Sequence, residues 1–220
     1  MRAIKSLSGI LLCATLYAFS PTNANADGFG IGANAGTLGV GVEAAMSLVP
    51  NHLNFRLGAN RFTYNLDYTF DDIRYDSEVD LNTQSALLDW HIFGGSFRLT
   101  AGAFRNRNAI SATGMPTTNV TIGDVVYTPA EVGTLSAAVS FKPSASYLGI
   151  GWGNAVGKNK RLGFTIDLGV LFQDAPDVTL TATNPAVSQA DLRQEEANIE
   201  ADIEHFDTYP VISLGLTFQF

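Results

Sequence analysis

Tyr209-Pro-Val-Ile-Ser-Leu-Gly-Leu-Thr-Phe-Gln-Phe220 closes the chain, and its reading decides the fold. Successive side chains of a strand point to opposite faces, so Ile212, Leu214, Leu216, Phe218 and Phe220 share one face, while Val211, Ser213, Gly215, Thr217 and Gln219 share the other. One face suits hydrocarbon and the other a polar interior. The same alternation recurs upstream in Leu162, Phe164, Ile166, Leu168, Val170 and Phe172, and in Phe97, Leu99, Ala101 and Ala103, which alternate with Arg98, Thr100 and Gly102. A lipocalin-like soluble barrel would place its large apolar residues inside. Here the apolar face is opposed by glycine, serine, threonine and isolated charges, which points to a transmembrane barrel.

The N-terminal segment agrees. Met1-Arg-Ala-Ile-Lys-Ser6 is basic, Leu7 to Phe19 is apolar, and Ala24-Asn25-Ala26 is a small-x-small site, so residues 1–26 read as a secretory signal peptide and 27–220 as one barrel domain. No later stretch approaches the ~18 consecutive apolar residues of a helical span, so any span is built from strands. Cys13, the only cysteine, lies in the apolar run behind Leu12, a poor lipoprotein site, and a mature chain without it has no thiol chemistry. Loss of Arg2 and Lys5 with the leader takes the formal charge from −8 to −10, which gives no basic footprint for nucleic acid.

Along the chain, Phe29 to Ala33 and Leu38 to Leu48 read as two strands joined by a tight turn at Gly36-Thr37, with one long bulged strand as the alternative. Val49 to His52 is a turn. Pairing Leu48 with Leu53, Met46 with Phe55, Ala44 with Leu57 and Val42 with Ala59 makes every pair apolar and sets the register. The apolar phase slips near Asn60-Arg61, where Phe62, Tyr64, Leu66 and Tyr68 fall into step, which predicts a bulge. Asp71 to Tyr75 is a loop and Ser77 to Trp90 returns. After a turn at His91 to Ser96, pairing Trp90 with Phe97 and Leu88 with Leu99 puts Asp89 opposite Arg98. Asn106 to Ala130 reads as the largest extracellular loop, with a small hairpin over Val120 to Tyr127.

Leu135, Ala137, Val139 and Phe141 then read as an outward-facing strand, followed by a turn at Lys142-Pro143-Ser144 and a strand carrying Leu148, Ile150 and Trp152. Lys158, Lys160 and Arg161 would reach lipopolysaccharide phosphates from an extracellular loop, and otherwise form a solvated turn. Val178 to Ala182 is a short strand. Ser188 opens a capping-box-like Ser-x-x-Asp191, and Leu192, Ile199, Ile203 and Phe206 line one side of an amphipathic helix ended by Pro210. The fold expected is all-β, an antiparallel transmembrane barrel of ten strands, or of eight if the first two segments merge and the short one drops out. Aromatic belts fall at Phe55, Trp90, Phe97, Phe141, Phe218 and Phe220 on the turn side, and at Tyr64, Tyr68 and Trp152 on the loop side.

The inward positions include Glu43, Arg56, Asp89, Arg98 and Asp167, set among glycines that leave room for long side chains to cross the bore. A network of two bases and three acids would plug a bore of eight to ten strands. The acids Asp71, Asp72, Asp76, Glu78 and Asp80 lack a compact calcium loop and read as solvated. His52, His91 and His205 have no serine or carboxylate partner at a defensible spacing, and no nucleotide or metal motif is present, so neither enzyme, cofactor nor metal is expected.

The spacing Ser213-x-Gly215-x-x-Phe218-x-Phe220 resembles the signal by which the barrel assembly machinery recognises bacterial outer-membrane barrels. Together with Leu-Gly-Val-Gly-Val-Glu43, Leu-Leu-Asp-Trp-His91, Gly-Gly-Ser-Phe-Arg98 and Tyr-Leu-Gly-Ile-Gly-Trp152, the chain resembles small monomeric outer-membrane proteins typified by the OmpA membrane domain and OmpW. That resemblance implies residence in the outer membrane of a Gram-negative bacterium among lipid and lipopolysaccharide. It implies architecture more than activity. The functional expectation is a structural or surface-interaction barrel with a filled lumen, and the alternative is a channel for small or apolar solutes.

Overall fold

The computed structural model describes residues 28–70, 73–156 and 161–220, with the backbone alone described over 66–70 and 73–75. The leader expected at 1–26, its processing site, and Asp71, Asp72, Lys158 and Lys160 lie outside the described residues. Thirteen strands form: β1 Phe29–Gly36, β2 Gly39–Val49, β3 Leu53–Phe70, β4 Ile73–Trp90, β5 Phe97–Asn106, β6 Ala109–Gly114, β7 Val120–Ile122, β8 Val125–Tyr127, β9 Leu135–Ser140, β10 Ser144–Trp152, β11 Leu162–Phe172, β12 Asp177–Ala182 and β13 Thr208–Gln219. Two helices, α1 Pro129–Val132 and α2 Gln189–Asp202, and a 3-10 turn at Glu204–Asp207 complete the described elements.

Eleven strands share one antiparallel sheet. Eight of them close on themselves in the order β4, β3, β2, β1, β13, β11, β10, β5, because β4 pairs with both β3 and β5. The other three, β6, β9 and β12, leave the ring at β4. The lower half of β4 pairs with β5 from Thr83↔Asn106 to Trp90↔Leu99, and the upper part pairs with β6 from Tyr75↔Gly114 to Asp80↔Ala109. The wall is therefore counted differently from the ten strands expected. The first two segments are separate strands meeting at Gly36↔Gly39, whereas Leu135–Ser140 and Asp177–Ala182 pair with each other outside the ring.

Two registers differ from the reading of the sequence. Met46↔Phe55, Ala44↔Leu57 and Val42↔Ala59 hold, but Leu53 pairs with Val49 and the shift between Ser47 and Val49 bulges Leu48 out of the ladder. Trp90 pairs with Leu99 and Leu88 with Ala101, two residues from the expected match, because the connection between β4 and β5 folds His91 back under the barrel. Conversely, the bulge expected at Asn60-Arg61 is absent. The β3–β4 ladder runs from Leu53↔Trp90 to Phe70↔Ile73 without a shift. The side on which apolar residues stand changes instead. Leu57 and Ala59 point out of the ring, whereas Phe62 and Tyr64, stacked at 6.3 Å, stand on the face continuous with the lumen.

That change marks where the hairpin leaves the wall. Below it, outward residues such as Val40, Val42, Leu148, Phe164, Leu216 and Phe218 are exposed; above it Phe62 and Tyr64 are exposed on the opposite face, and the apolar residues of β9 and β12 face a second core. This core joins Val178 and Leu180 of β12 and Ile122 and Tyr127 of the β7–β8 hairpin to Leu192 of α2. Ser188 caps α2 by accepting from the amides of Ala190 and Asp191, while the Asp191 carboxylate accepts from the Tyr127 hydroxyl instead of closing a capping box. Glu196 and Glu200 accept from the amides of Leu180 and Val178 at 2.7 and 2.9 Å. The free edge of β12 is thus covered by carboxylates one helical turn apart. Leu192 is buried and Ile199 and Ile203 pack against it, but Phe206, expected on this side, is exposed. The helix ends at Asp202, and Pro210 lies within β13 just beyond the last β1 pairing, where no donor is required of it.

The chain enters and leaves at the same end of the ring, where Phe220 N donates to Phe29 O at 3.1 Å. This turn end also holds residues 50–52, 91–96 and the β10–β11 connection with Arg161. Trp152, expected at the other end, meets Phe97 here at 5.5 Å, edge to face. Phe141 follows β9 and lies outside the wall. All the long insertions rise from the loop end. Among the described residues no helix is long and apolar enough to cross a membrane.

Candidate functional site in the barrel lumen

Four layers fill the bore. At the turn end, the enclosed His91 ring lies between two partners: Nδ1 faces the Gly95 carbonyl at 2.8 Å, and Nε2 lies 3.3 Å from Asn54 Nδ2. A carbonyl only accepts, so the imidazole carries its proton on Nδ1 and Nε2 accepts from Asn54. Asn54 also donates to Asn154 Oδ1 at 2.8 Å. Burial pushes the His91 pKa below its ordinary 6.5.

The second layer is charged. It gathers Glu43 from β2, Arg56 from β3, Asp89 from β4, Arg98 from β5 and Asp167 from β11, none more than a tenth exposed. Arg56 is the hub. Its Nη2 donates to Asp167 Oδ1 at 3.0 Å and to Asp89 Oδ1 at 3.1 Å, and its Nη1 donates to Glu43 Oε2 and Asp167 Oδ2, both at 3.3 Å. Arg56 Nε lies 2.5 Å from Asp89 Oδ2, an ion pair without the angle of a hydrogen bond. Arg98 Nη2 donates to Asp167 Oδ1 at 2.8 Å, and Nη1 donates to the Gly153 carbonyl at 2.5 Å. Asp89 and Arg98 make a diagonal contact at 3.4 Å rather than facing each other, and Thr100 Oγ1 donates to Asp89 at 2.7 Å. A side chain at Gly151 could not coexist with this geometry, since its Cβ would lie 2.7 Å from Arg98 Cζ. Three carboxylates face two guanidiniums, and the excess shows at Glu43, whose buried Oε1 has no hydrogen-bond partner.

The third layer is a small cavity of about 50 Å³, floored by Glu43, Arg56 and Asp167 and sided by Asn34, Asn60, Ser85 and Ser213. Its roof is the fourth layer, an apolar cluster of Leu38, Leu87, Phe104, Tyr147, Leu171 and Val211. Above that roof Asn106 Nδ2 donates to Gln173 Oε1 at 2.9 Å, and Asn108 Oδ1 accepts from Asn82 N at 2.9 Å. These asparagines bind the point where β6 replaces β5 on β4.

The sequence reading named the five charged residues and missed the apolar roof and the Asn106–Gln173 closure. A signal for the roof was present. Leu87-Leu88, Val170-Leu171-Phe172 and Val211-Ile212 place large apolar residues on both faces of a strand, so some had to point inward. Of the C-terminal set, Ser213 lines the cavity, Gly215 stands on the lumen face, and Phe218 and Phe220 face outward with rings 5.3 Å apart. His52 lies against the Pro50 carbonyl and His205 against the Phe206 ring. Among the described residues no group of three or more His, Cys, Asp or Glu side chains is placed to hold a metal ion.

No protein-family model and no curated protein matches the sequence. Two solved structures from Acinetobacter baumannii are similar in three dimensions. CarO2 superposes with a TM-score of 0.59 at 20% identity, covering 88% of this chain and 98% of its own. CarO gives 0.57 at 21% identity, covering 87% and 97%. The likeness is one of fold. It spans both the ring and most of the chain that rises from it.

Proposed function

We propose that the chain is a monomeric β-barrel of the Gram-negative outer membrane, with a lumen closed by its own side chains and a role carried by the structure at its loop end. The outward face is the observation that carries this reading. Each large apolar side chain left in water forgoes on the order of 1.5–3 kcal/mol, and about two dozen stand exposed around one band of the ring. Only an apolar solvent offsets that loss, and a closed ring leaves no backbone group of the wall unpaired in it. The Ser213, Gly215, Phe218 and Phe220 pattern supports delivery to the barrel assembly machinery, and the fold of the two Acinetobacter structures is compatible with the same setting.

Within that frame both chain ends lie in the periplasm and the β6–β9–β12 sheet with α2 stands outside the cell, suited to a structural or surface-interaction role. The cavity between charged floor and apolar roof favours a second reading, occasional passage of a small solute through a transient opening. Cysteine labelling tests the placement: Thr118→Cys should react with a membrane-impermeant maleimide on intact cells, and Asn51→Cys only after permeabilisation. Reaction of Asn51→Cys on intact cells with protection of Thr118→Cys would invert the topology.

A further inference from the structure

Resting on the outer-membrane reading, we propose that the outer rim of the β3–β4–β5 sector is a binding site for the phosphorylated headgroup of lipid A. Arg161, which would reach such phosphates only from an extracellular loop, sits instead at the turn end, where its carbonyl accepts from Gln219 N at 2.9 Å. A different set gathers at the loop end. Arg61 pairs with Asn82 across β3 and β4, Arg105 is flanked by Gln84 of β4 and Ser144 of β10, and Arg107 N donates to Asn82 O at 2.9 Å just past the end of β5. Arg61, Arg105 and Arg107 are exposed on the outward face, and none has a side-chain partner among the described residues. Their neighbours Asn82, Gln84 and Ser144 add hydrogen-bonding groups between them.

Height fits as well as charge. Arg105 follows Phe97 by eight positions on β5, so ~3.4 Å per residue and a tilt of ~40° place it about 20 Å above the Phe97–Trp152 pair. An apolar band of ~25 Å ends near that level, where the phosphates of the outer leaflet lie. Arg61 and Arg107 flank Asn82 and stand about 10 Å apart at ~4.8 Å per strand, a span that two phosphates of one headgroup can bridge. Guanidinium suits this task because its planar fork meets phosphate oxygens in pairs. In a chain of formal charge −8, three unpaired arginines in one patch are not a general property of the surface. The nearest acid on this face of β4, Asp80, lies further from the wall and accepts from Thr63 Oγ1 at 2.9 Å, and Lys142 is engaged by Asp174 at 3.3 Å.

The test uses the full chain folded in non-ionic detergent and titrated with diphosphorylated lipid A, its dephosphorylated form, and phosphatidylglycerol, with bound lipid counted by native mass spectrometry. Diphosphorylated lipid A should be retained selectively, and the triple variant R61Q/R105Q/R107Q should weaken retention on the order of 100-fold. The triple lysine variant should keep most of the affinity, and Arg161→Gln should keep all of it. Heat-modifiable migration on gels shows that each variant is folded. Equal retention by wild type and the triple glutamine variant, or binding of phosphatidylglycerol as tight as that of lipid A, would overturn the site. Failure of the folded chain to enter lipid vesicles would instead remove the outer-membrane reading itself.

Discussion

The lower and upper halves of the β3–β4 hairpin belong to one unbroken ladder, yet they are inside out with respect to each other. From Leu53 to Ala59 apolar residues stand outside the ring and Asn54, Arg56 and Gly58 inside, whereas Phe62 and Tyr64 put their rings on the lumen-continuous side and Thr63 faces out. Nothing in the backbone marks the reversal. In the proposed membrane setting the reversal follows the solvent: hydrocarbon rewards apolar groups on the convex face of the ring, and above the ring the apolar residues of β9 and β12 turn to the face that packs against α2. The charged layer and the apolar core under α2 are the two interiors that result, one held by hydrogen-bonded ions and the other by packing.

The charged interior depends most on Arg56. Removing the hub in Arg56→Ala leaves three buried carboxylates with one guanidinium, so urea unfolding in lipid vesicles should show a loss of about 3–5 kcal/mol. Glu43→Gln, which removes the charge in excess, should cost less than about 1 kcal/mol in the same assay. A comparable loss from both would mean that the layer is not organised around Arg56. In the other interior, Leu192→Ala should cost about 2–4 kcal/mol, but locally. Proteolysis should then cut the α2 segment while the ring keeps its heat-modifiable migration. Loss of both together would show the two interiors to be one cooperative unit.

The reversal itself can be read with one charge placed twice on the same outward face. Leu57→Arg, within the apolar band, should destabilise by about 2–3 kcal/mol, and Thr63→Arg, beside Asp80, by less than about 0.5 kcal/mol. Equal costs would place both positions in the same solvent. The smallest effect is at His91. Its folded pKa lies below the ordinary 6.5, so its contribution to stability is complete above that value and declines as pH falls below it, because the unfolded chain takes up the proton first. Unfolding midpoints between pH 8 and pH 5 should show this slope, and His91→Gln should remove it.

Much of this was legible in the sequence wherever one period governed a segment. The alternation gave the wall strands from Gly39 to Phe104 and the five charges of the lumen, because a residue's face follows from its parity alone. Parity also explains the errors. Leu135 to Phe141 alternates as a wall strand does, but Leu135, Ala137 and Val139 pack against the core shared by α2 and β12 outside the ring, and alternation is blind to which apolar phase a strand meets. One surplus strand inverts the direction of the next two, which sent Trp152 to the wrong belt. The second surplus strand, Asp177–Ala182, cancelled the first, so the last strand still ran the right way. The phase slip at Asn60-Arg61 was real but expressed a change in which face of the hairpin is apolar, not a bulge.

The layered side chains close the bore to ions. Single-molecule conductance of the full chain in planar lipid bilayers asks this directly. Ion-paired Arg56 and Arg98 below and the Leu87–Phe104–Tyr147 roof above predict a flat baseline, without large steady steps, across the voltages a bilayer tolerates. A stable conductance of porin size from the wild-type chain would contradict it.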